Sequence, residues 1–321
     1  MPIIHLGGGR LLSANDNRLQ IESSKSMGFF VKLWGTRGSI PTPGRAMERY
    51  GGNTTCIEVR IDDTLFICDA GTGLRELGMD LLQRSNDPIS AHWLFSHTHW
   101  DHIQGFPLFQ PAFKSKNTFR VYGHEKNDRT TFDLLCDQMT TDYCPISFSH
   151  FSADIIPTDL ESVNNEINGV KVNWFSQYHE GGSFAYSFEK DGYKFVFATD
   201  NEIDLGFPDP QAVQGNLAAP RPIEKDYLDF IRGADLLVAD GQYTDAEYPH
   251  RIGWGHARAT TVLDAAIQAE VKKVAITHHD PAHTDRAVDE KIQFCQERLD
   301  KSKAELEVLG AREHLEFTIA E

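Results

Sequence analysis

His97, His99, Asp101 and His102 place three imidazoles and one carboxylate within six residues. Imidazole suits zinc, iron, nickel and copper, while carboxylate favours harder ions such as manganese. The alternation of His97 and His99 points both side chains to one side of an extended segment. Asp101 and His102 follow at once and continue into a turn. A sharp bend from strand to loop would aim two of these ligands at one ion and two at a second. A histidine-rich surface loop is the plain alternative. Against it, the apolar run Trp93-Leu94-Phe95 leads straight into the cluster, and Ile103-Gln104-Gly105-Phe106 leaves it as a new element.

The elements that must position these groups can be read around them. Alternating or continuous apolar runs predict strands at 30–34, 55–61, 64–68, 91–95, 119–122, 170–175, 185–188, 194–198, 236–239, 273–277 and 314–319. Helices are predicted from the glycine-rich turn after Asp69 to about residue 84, and at 128–139, 224–232, 257–269 and 284–307. One pattern recurs: an apolar strand ends at Asp69, His97, Asp200, Asp240 or His278, and loop-like residues follow. Polar groups gathered at strand ends along one edge of packed sheets can build a site.

The bulk composition narrows the class. The chain has 321 residues with ordinary globular proportions of apolar and charged side chains. Residues 1–28 read as a partly flexible N-terminal extension. Residues 29–321 read as one domain, with an insertion at about 106–150. No run approaches the ~20 apolar residues that span a bilayer, and no secretory signal pattern is visible. Five cysteines, odd in number and without CxxC spacing, fit reduced thiols and a cytoplasmic location. The formal net charge is −16. Two divalent ions would bring it only to about −12. Such a surface repels long polyanions, whose binding rests on Lys and Arg contacts to phosphates. A small substrate is therefore favoured over nucleic acid.

The H-x-H-x-D-H core resembles that of the metallo-β-lactamase superfamily. Leu33-Trp34-Gly35-Thr36-Arg37-Gly38-Ser39-Ile40-Pro41-Thr42, Gly52-Asn53-Thr54, Asp69-Ala70-Gly71-Thr72-Gly73 and Asp101-His102-Ile103-Gln104-Gly105-Phe106-Pro107 look like its ribonuclease Z and cyclic phosphate phosphodiesterase branch. The resemblance implies an α/β fold, an αββα sandwich of two mixed sheets packed between helices. It also implies two divalent ions per chain, zinc first, with manganese or iron also permitted by the ligand types. His97, His99 and His179 would hold one ion and Asp101, His102 and His278 the other, with Asp200 bridging. His279 competes with His278, which is preferred because the family's ligand directly follows its strand. Asp101 could also orient the metal-bridging hydroxide that attacks phosphorus, and Asp69 is a candidate to fix an imidazole tautomer. Gly253-Trp254-Gly255-His256-Ala257 matches the segment whose histidine assists the leaving group, with Asp240 as its carboxylate partner.

These residues predict a metal-dependent phosphodiesterase for a small phosphodiester such as a cyclic nucleotide, and the resemblance allows a homodimer. A tRNA 3′-end endonuclease, a lactonase or other acyl hydrolase, and a non-catalytic metal-binding regulator are the alternatives. No basic arm of the kind that grips tRNA is visible. Phe106, Phe109, Phe113, Phe148 and Phe207 could stack on a base or cap a small ligand, although core packing, which needs no functional role, is the preferred account of them. Arg37, Arg75, Arg221, Arg251 and Arg258 are candidate phosphate clamps. His5, His92, His124, His150, His250, His283 and His314 read as surface or structural histidines.

Overall fold

Short runs rich in β-branched and aromatic residues form the strands of two seven-stranded sheets. The computed structural model describes residues 28–124, 129–140, 142, 144–158, 165–207 and 221–321. The expected N-terminal extension lies outside them, Gly28 apart. The first sheet contains β1 (Phe29–Gly35), β2 (Cys56–Ile61), β3 (Thr64–Cys68), β4 (Ser90–Leu94), β5 (Thr118–Tyr122), β6 (Asp154–Thr158) and the last strand, β14 (Glu316–Ala320). Its order is β14-β1-β2-β3-β4-β5-β6, antiparallel as far as β3 and parallel from there to β6.

The second sheet contains β7 (Asn165–Ile167), β8 (Val170–Gln177), β9 (Ser183–Lys190), β10 (Tyr193–Ala198), β11 (Leu236–Asp240), β12 (Lys273–Thr277) and β13 (Glu307–Gly310). It runs antiparallel from β7 to β10 and parallel from β10 to β13. Both sheets are mixed, as expected. Val31, Leu33, Val59 and Phe66 of the first sheet pack with Phe188, Phe195, Val238 and Ala275 of the second. Helix α1 (Leu74–Arg84) buries Leu74, Leu77 and Leu81 on the outer side of the first sheet, with Ile67 and Trp93. The outer side of the second sheet is covered by α4 (Lys225–Ile231), α5 (Ala259–Gln268) and α6 (Asp285–Ser302). The two remaining short helices are α2 (Trp100–Ile103) and α3 (Thr131–Asp137). The result is the helix–sheet–sheet–helix sandwich of the α/β class.

Three local differences from expectation have physical causes. The last helix stops at Ser302, because Lys303 turns left-handed with φ 60° and its N–H caps the Leu299 carbonyl. The chain then pairs as β13 beside β12, a strand not predicted from the sequence, which begins at residue 307 where the predicted helix was to end. Helix α3 begins at Thr131, where Thr130 and Asp133 form a reciprocal capping box. The stretch 106–150, expected as an insertion, supplies β5 to the interior of the first sheet. Phe106 and Phe109 are wholly buried against Trp93, so they belong to the core.

The parallel strands β3, β4, β10, β11 and β12 end on one edge of the sandwich. In such sheets the crevice beyond the strand ends is where sites are built. Asp69, Asp200 and His278 follow β3, β10 and β12 with φ of 59°, 52° and 56°. Non-glycine residues seldom take this left-handed conformation, which costs about 1–3 kcal/mol when imposed. At each of these strand ends it turns the chain abruptly, and all three residues belong to the site.

Candidate metal centre and active site

The candidate ligand atoms of His97, His99 and His179 lie within 4.8 Å of one another, as do those of Asp101, His102 and His278. Asp200 stands between the two groups. Its Oδ2 is 3.6 Å from both His97 Nε2 and His179 Nε2, while its Oδ1 is 3.2 Å from both His102 Nε2 and His278 Nε2. One carboxylate oxygen thus faces each half of the cluster. The folded chain gathers all seven residues named from sequence, from His97 to His278, into one place. His279 points elsewhere: its Nε2 donates to the Ala311 carbonyl at 2.7 Å.

The other nitrogen of most of these rings is already engaged. His102 Nδ1 donates to Asp69 Oδ2 at 2.8 Å, His179 Nδ1 to the Gly255 carbonyl at 2.8 Å, and His278 Nδ1 to Gln242 Oε1 at 2.9 Å. Ser96 Oγ donates to Asp69 Oδ2 at 2.7 Å and in turn meets His97 Nδ1 at 3.0 Å. With Nδ1 engaged in these four rings, Nε2 is left for the centre. Among the described residues, the buried Nε2 atoms of His97 and His102 face Asp200 without a hydrogen-bond partner, which is costly unless a cation completes the site.

The electrostatics agree. Among the described residues, Asp101 and Asp200 have only histidines as ion-pair partners, although both are almost fully buried. Burial opposes ionisation of Asp200, yet His102, His278 and His97 hold its carboxyl well below the usual range. Burial likewise disfavours a charged His102, but Asp200, Asp101 and Asp69 hold its imidazole well above its ordinary value. Burial and the neighbouring His102 push His97 well below. The cluster is a buried concentration of carboxylates that asks for positive charge, and nitrogen and oxygen ligands of this kind suit divalent zinc, manganese or iron.

The loop after β1 completes the cradle. The Ser39 backbone N–H donates to Asp101 Oδ2 at 2.7 Å. Gly38 lies so close to the His278 ring that any Cβ there would overlap it. His99 is exposed whereas His97, Asp101, His102, Asp200 and His278 are buried, so the centre opens to solvent on the His99 side.

His256 stands beside this centre. Its Nδ1 lies 2.8 Å from Asp240 Oδ2 and 3.9 Å from Asp200 Oδ2, and its ring stacks 4.7 Å from that of His278. Burial would depress its imidazole, but Asp240 overrides this and its pKa is raised to about 9. With Nδ1 held by a carboxylate, Nε2–H is free to donate. Asp200, Asp240, His256 and His278 also satisfy the 4.8 Å spacing of a metal group. However, the Nδ1 that gives His256 this spacing is already held by Asp240.

Two contributors had no signature in the sequence reading. Gln242 orients His278, and its own backbone N–H is held by Asp240 Oδ1 at 2.9 Å. Glu202 is wholly buried and accepts from the backbone N–H groups of Gly253 and Gly255 at 2.8 and 2.6 Å. Both are single polar residues in loops, where no periodicity marks them. The candidate phosphate clamps fare differently. Arg37 is spent on the carbonyls of Gly51, Asp280 and His283, and Arg221 and Arg258 pair with Asp245, Asp264 and Asp204. Arg251 lies over the ring of the exposed Trp254, 4.4 Å from its centroid.

Comparison with known proteins gives three findings. A family model described as the beta-lactamase superfamily domain matches residues 64–279. Ribonuclease Z from Methanosarcina mazei is 25% identical over 292 residues, covering 78% of this chain and 87% of its own. Among solved structures, the metallo-beta-lactamase fold protein YhfI from Bacillus subtilis aligns with a TM-score of 0.63 at 15% identity, covering 91% of this chain and all of its own. A diphosphatase from the PhnP family aligns with a TM-score of 0.61 at 15% identity, with the same coverage.

Proposed function

The chain belongs to the beta-lactamase superfamily, and from that premise we propose that it is a metal-dependent phosphodiesterase acting on a small phosphodiester, such as a cyclic nucleotide. The observation that carries this reading is the His256–Asp240 pair at 2.8 Å, set against the candidate metal centre. Acyl hydrolysis of an activated ester or lactam has little need of a second, carboxylate-oriented imidazole. Expulsion of an alkoxide from phosphorus does.

Divalent ions held by His97, His99 and His179, and by Asp101, His102 and His278, with Asp200 shared, would supply Lewis-acid polarisation and a nucleophile from water at neutral pH. The chain's own residues do the rest. Asp69, Gln242 and the Gly255 carbonyl hold the ligand rings in one orientation. Asp101, fixed by the Ser39 N–H, can accept a hydrogen bond from the attacking water. His256, kept protonated by Asp240, donates its Nε2 proton to the departing oxygen. The net charge of −16 supports a small substrate.

A second reading, an RNA endonuclease, is favoured by the similarity to ribonuclease Z over most of that protein's length. Zinc- or manganese-loaded protein is to be assayed on bis(p-nitrophenyl) phosphate, cyclic nucleotides, a lactone and a precursor tRNA. Cleavage of the small phosphodiesters with His256 dependence supports the first reading. Cleavage of the precursor tRNA alone replaces it with the second, and cleavage of the lactone alone, indifferent to His256→Ala, removes both.

A further inference from the structure

We propose that Glu202 is a positioning residue that sets the geometry of both His179 and His256 through a single residue, Gly255. The assignment rests on the proposed metal-dependent reading of the site.

Glu202 lies two residues beyond Asp200, on the loop leaving β10, and is wholly buried. Its backbone N–H donates to the carbonyl of Tyr178, the residue before His179, at 2.8 Å. Its carboxylate spans a different loop. Oε1 accepts from Gly253 N–H at 2.8 Å and from the Tyr248 hydroxyl at 2.8 Å, while Oε2 accepts from Gly255 N–H at 2.6 Å. A buried carboxylate bonded to two backbone N–H groups is a charge-assisted clamp, stronger than neutral hydrogen bonds.

The far side of the same glycine meets the metal centre. The Gly255 carbonyl accepts from His179 Nδ1 at 2.8 Å. Gly255 has φ +86°, and a Cβ there would collide with the His179 ring. The next residue is His256. One carboxylate therefore fixes the turn that orients a candidate ligand ring and launches the candidate acid. It also ties that turn to the segment from which His179 itself projects. Glu202 touches neither substrate nor metal ligand by its side chain, so its effect must pass through Gly255.

The test compares Glu202→Gln, Glu202→Asp and Tyr248→Phe in the full chain. Glu202→Gln replaces one acceptor oxygen by an N–H₂ group that cannot accept. Glu202→Asp keeps the charge but is one methylene short. Tyr248→Phe removes one bond to the carboxylate and leaves both backbone bonds intact. Zinc affinity, read by chelator competition, is expected to fall about tenfold or more in Glu202→Gln, the range seen when outer partners of ligands are lost. Glu202→Asp should fall between Glu202→Gln and wild type, and Tyr248→Phe should stay near wild type. A purely structural glutamate would lower the unfolding midpoint of the metal-free protein and leave zinc affinity unchanged. That result in either folded Glu202 variant overturns the proposal, as does an equal loss of zinc affinity in Tyr248→Phe. Wild-type protein that binds zinc but cleaves no phosphodiester would sink the functional reading and leave this assignment standing.

Discussion

His102 Nδ1 donates to Asp69 Oδ2 across 2.8 Å, with both side chains wholly buried and 33 residues apart in sequence. Asp69 also accepts from the backbone N–H and hydroxyl of Ser96, each at 2.7 Å. It thereby fixes the tautomer of one candidate ligand ring and, through Ser96, supports a second, His97. Asp69→Asn would present an N–H₂ group to at least one of these donors. Zinc affinity is expected to drop by about 10–100-fold, measured by competition with a chromogenic chelator. Unchanged affinity would reduce Asp69 to a turn residue.

The His256–Asp240 pair predicts a dependence on the leaving group. General acid catalysis contributes about 10²–10⁴-fold, and it matters most when the departing oxygen is basic. His256→Ala should therefore cost about that factor in kcat for an alkyl phosphodiester and far less for a p-nitrophenyl one. Equal losses on both substrates would argue that His256 binds rather than protonates.

The same pair sets a pH profile. Asp240 holds the His256 imidazole at about 9 against the opposing effect of burial. In the proposed mechanism the protonated form is the active one, so kcat should hold up to that region and decline above it. In Asp240→Asn the largest favourable charge and its hydrogen bond are gone, and only the weaker pull of Asp200 and Asp101 still opposes burial. The alkaline limb should then move down by about a unit or more, toward the ordinary value of about 6.5. A limb that stays in place assigns it to another group.

Asp200 offers one oxygen to each half of the cluster. Zinc should stabilise the wild-type protein by about 2.7 kcal/mol for each ion bound at a hundred times its dissociation constant, by mass action alone. Asp200→Ser removes the shared group, so it should bind fewer than two ions per chain. Its zinc-dependent rise in unfolding midpoint should be smaller than that of wild type. Metal analysis together with scanning calorimetry reads both quantities.

Legibility differed between the frame and its fittings. The cluster at 97–102 could be read because four ligand-type residues sit on one short segment behind an apolar strand. Asp200, Asp240 and His278 could be read because each closes a strand whose apolar run is unmistakable. What stayed hidden has no periodic signal. The strand β13, only four residues long, follows closely on an amphipathic helix that ends where Lys303 turns left-handed, and so short a run shows no period of its own. Gln242 and Glu202 act through bonds to residues 36 and 51 to 53 positions away. Those partnerships exist only once the loops converge. The buried arginines misled for the related reason that a guanidinium's role depends on which carboxylate or carbonyl the fold brings to it.

The aromatic stretch beyond the histidine cluster allows a final test, because core packing and base stacking predict opposite kinetics. Phe106 is wholly buried, 5.3 Å from the ring of Trp93 and 5.5 Å from that of Phe151. Truncation to alanine leaves a cavity that the surrounding rings cannot fill. Phe106→Ala should lose about 3–5 kcal/mol of stability, measured by denaturant unfolding. The folded fraction should keep the wild-type KM for a nucleotide substrate, since the ring never meets solvent. A raised KM with undiminished stability would instead return Phe106 to the substrate.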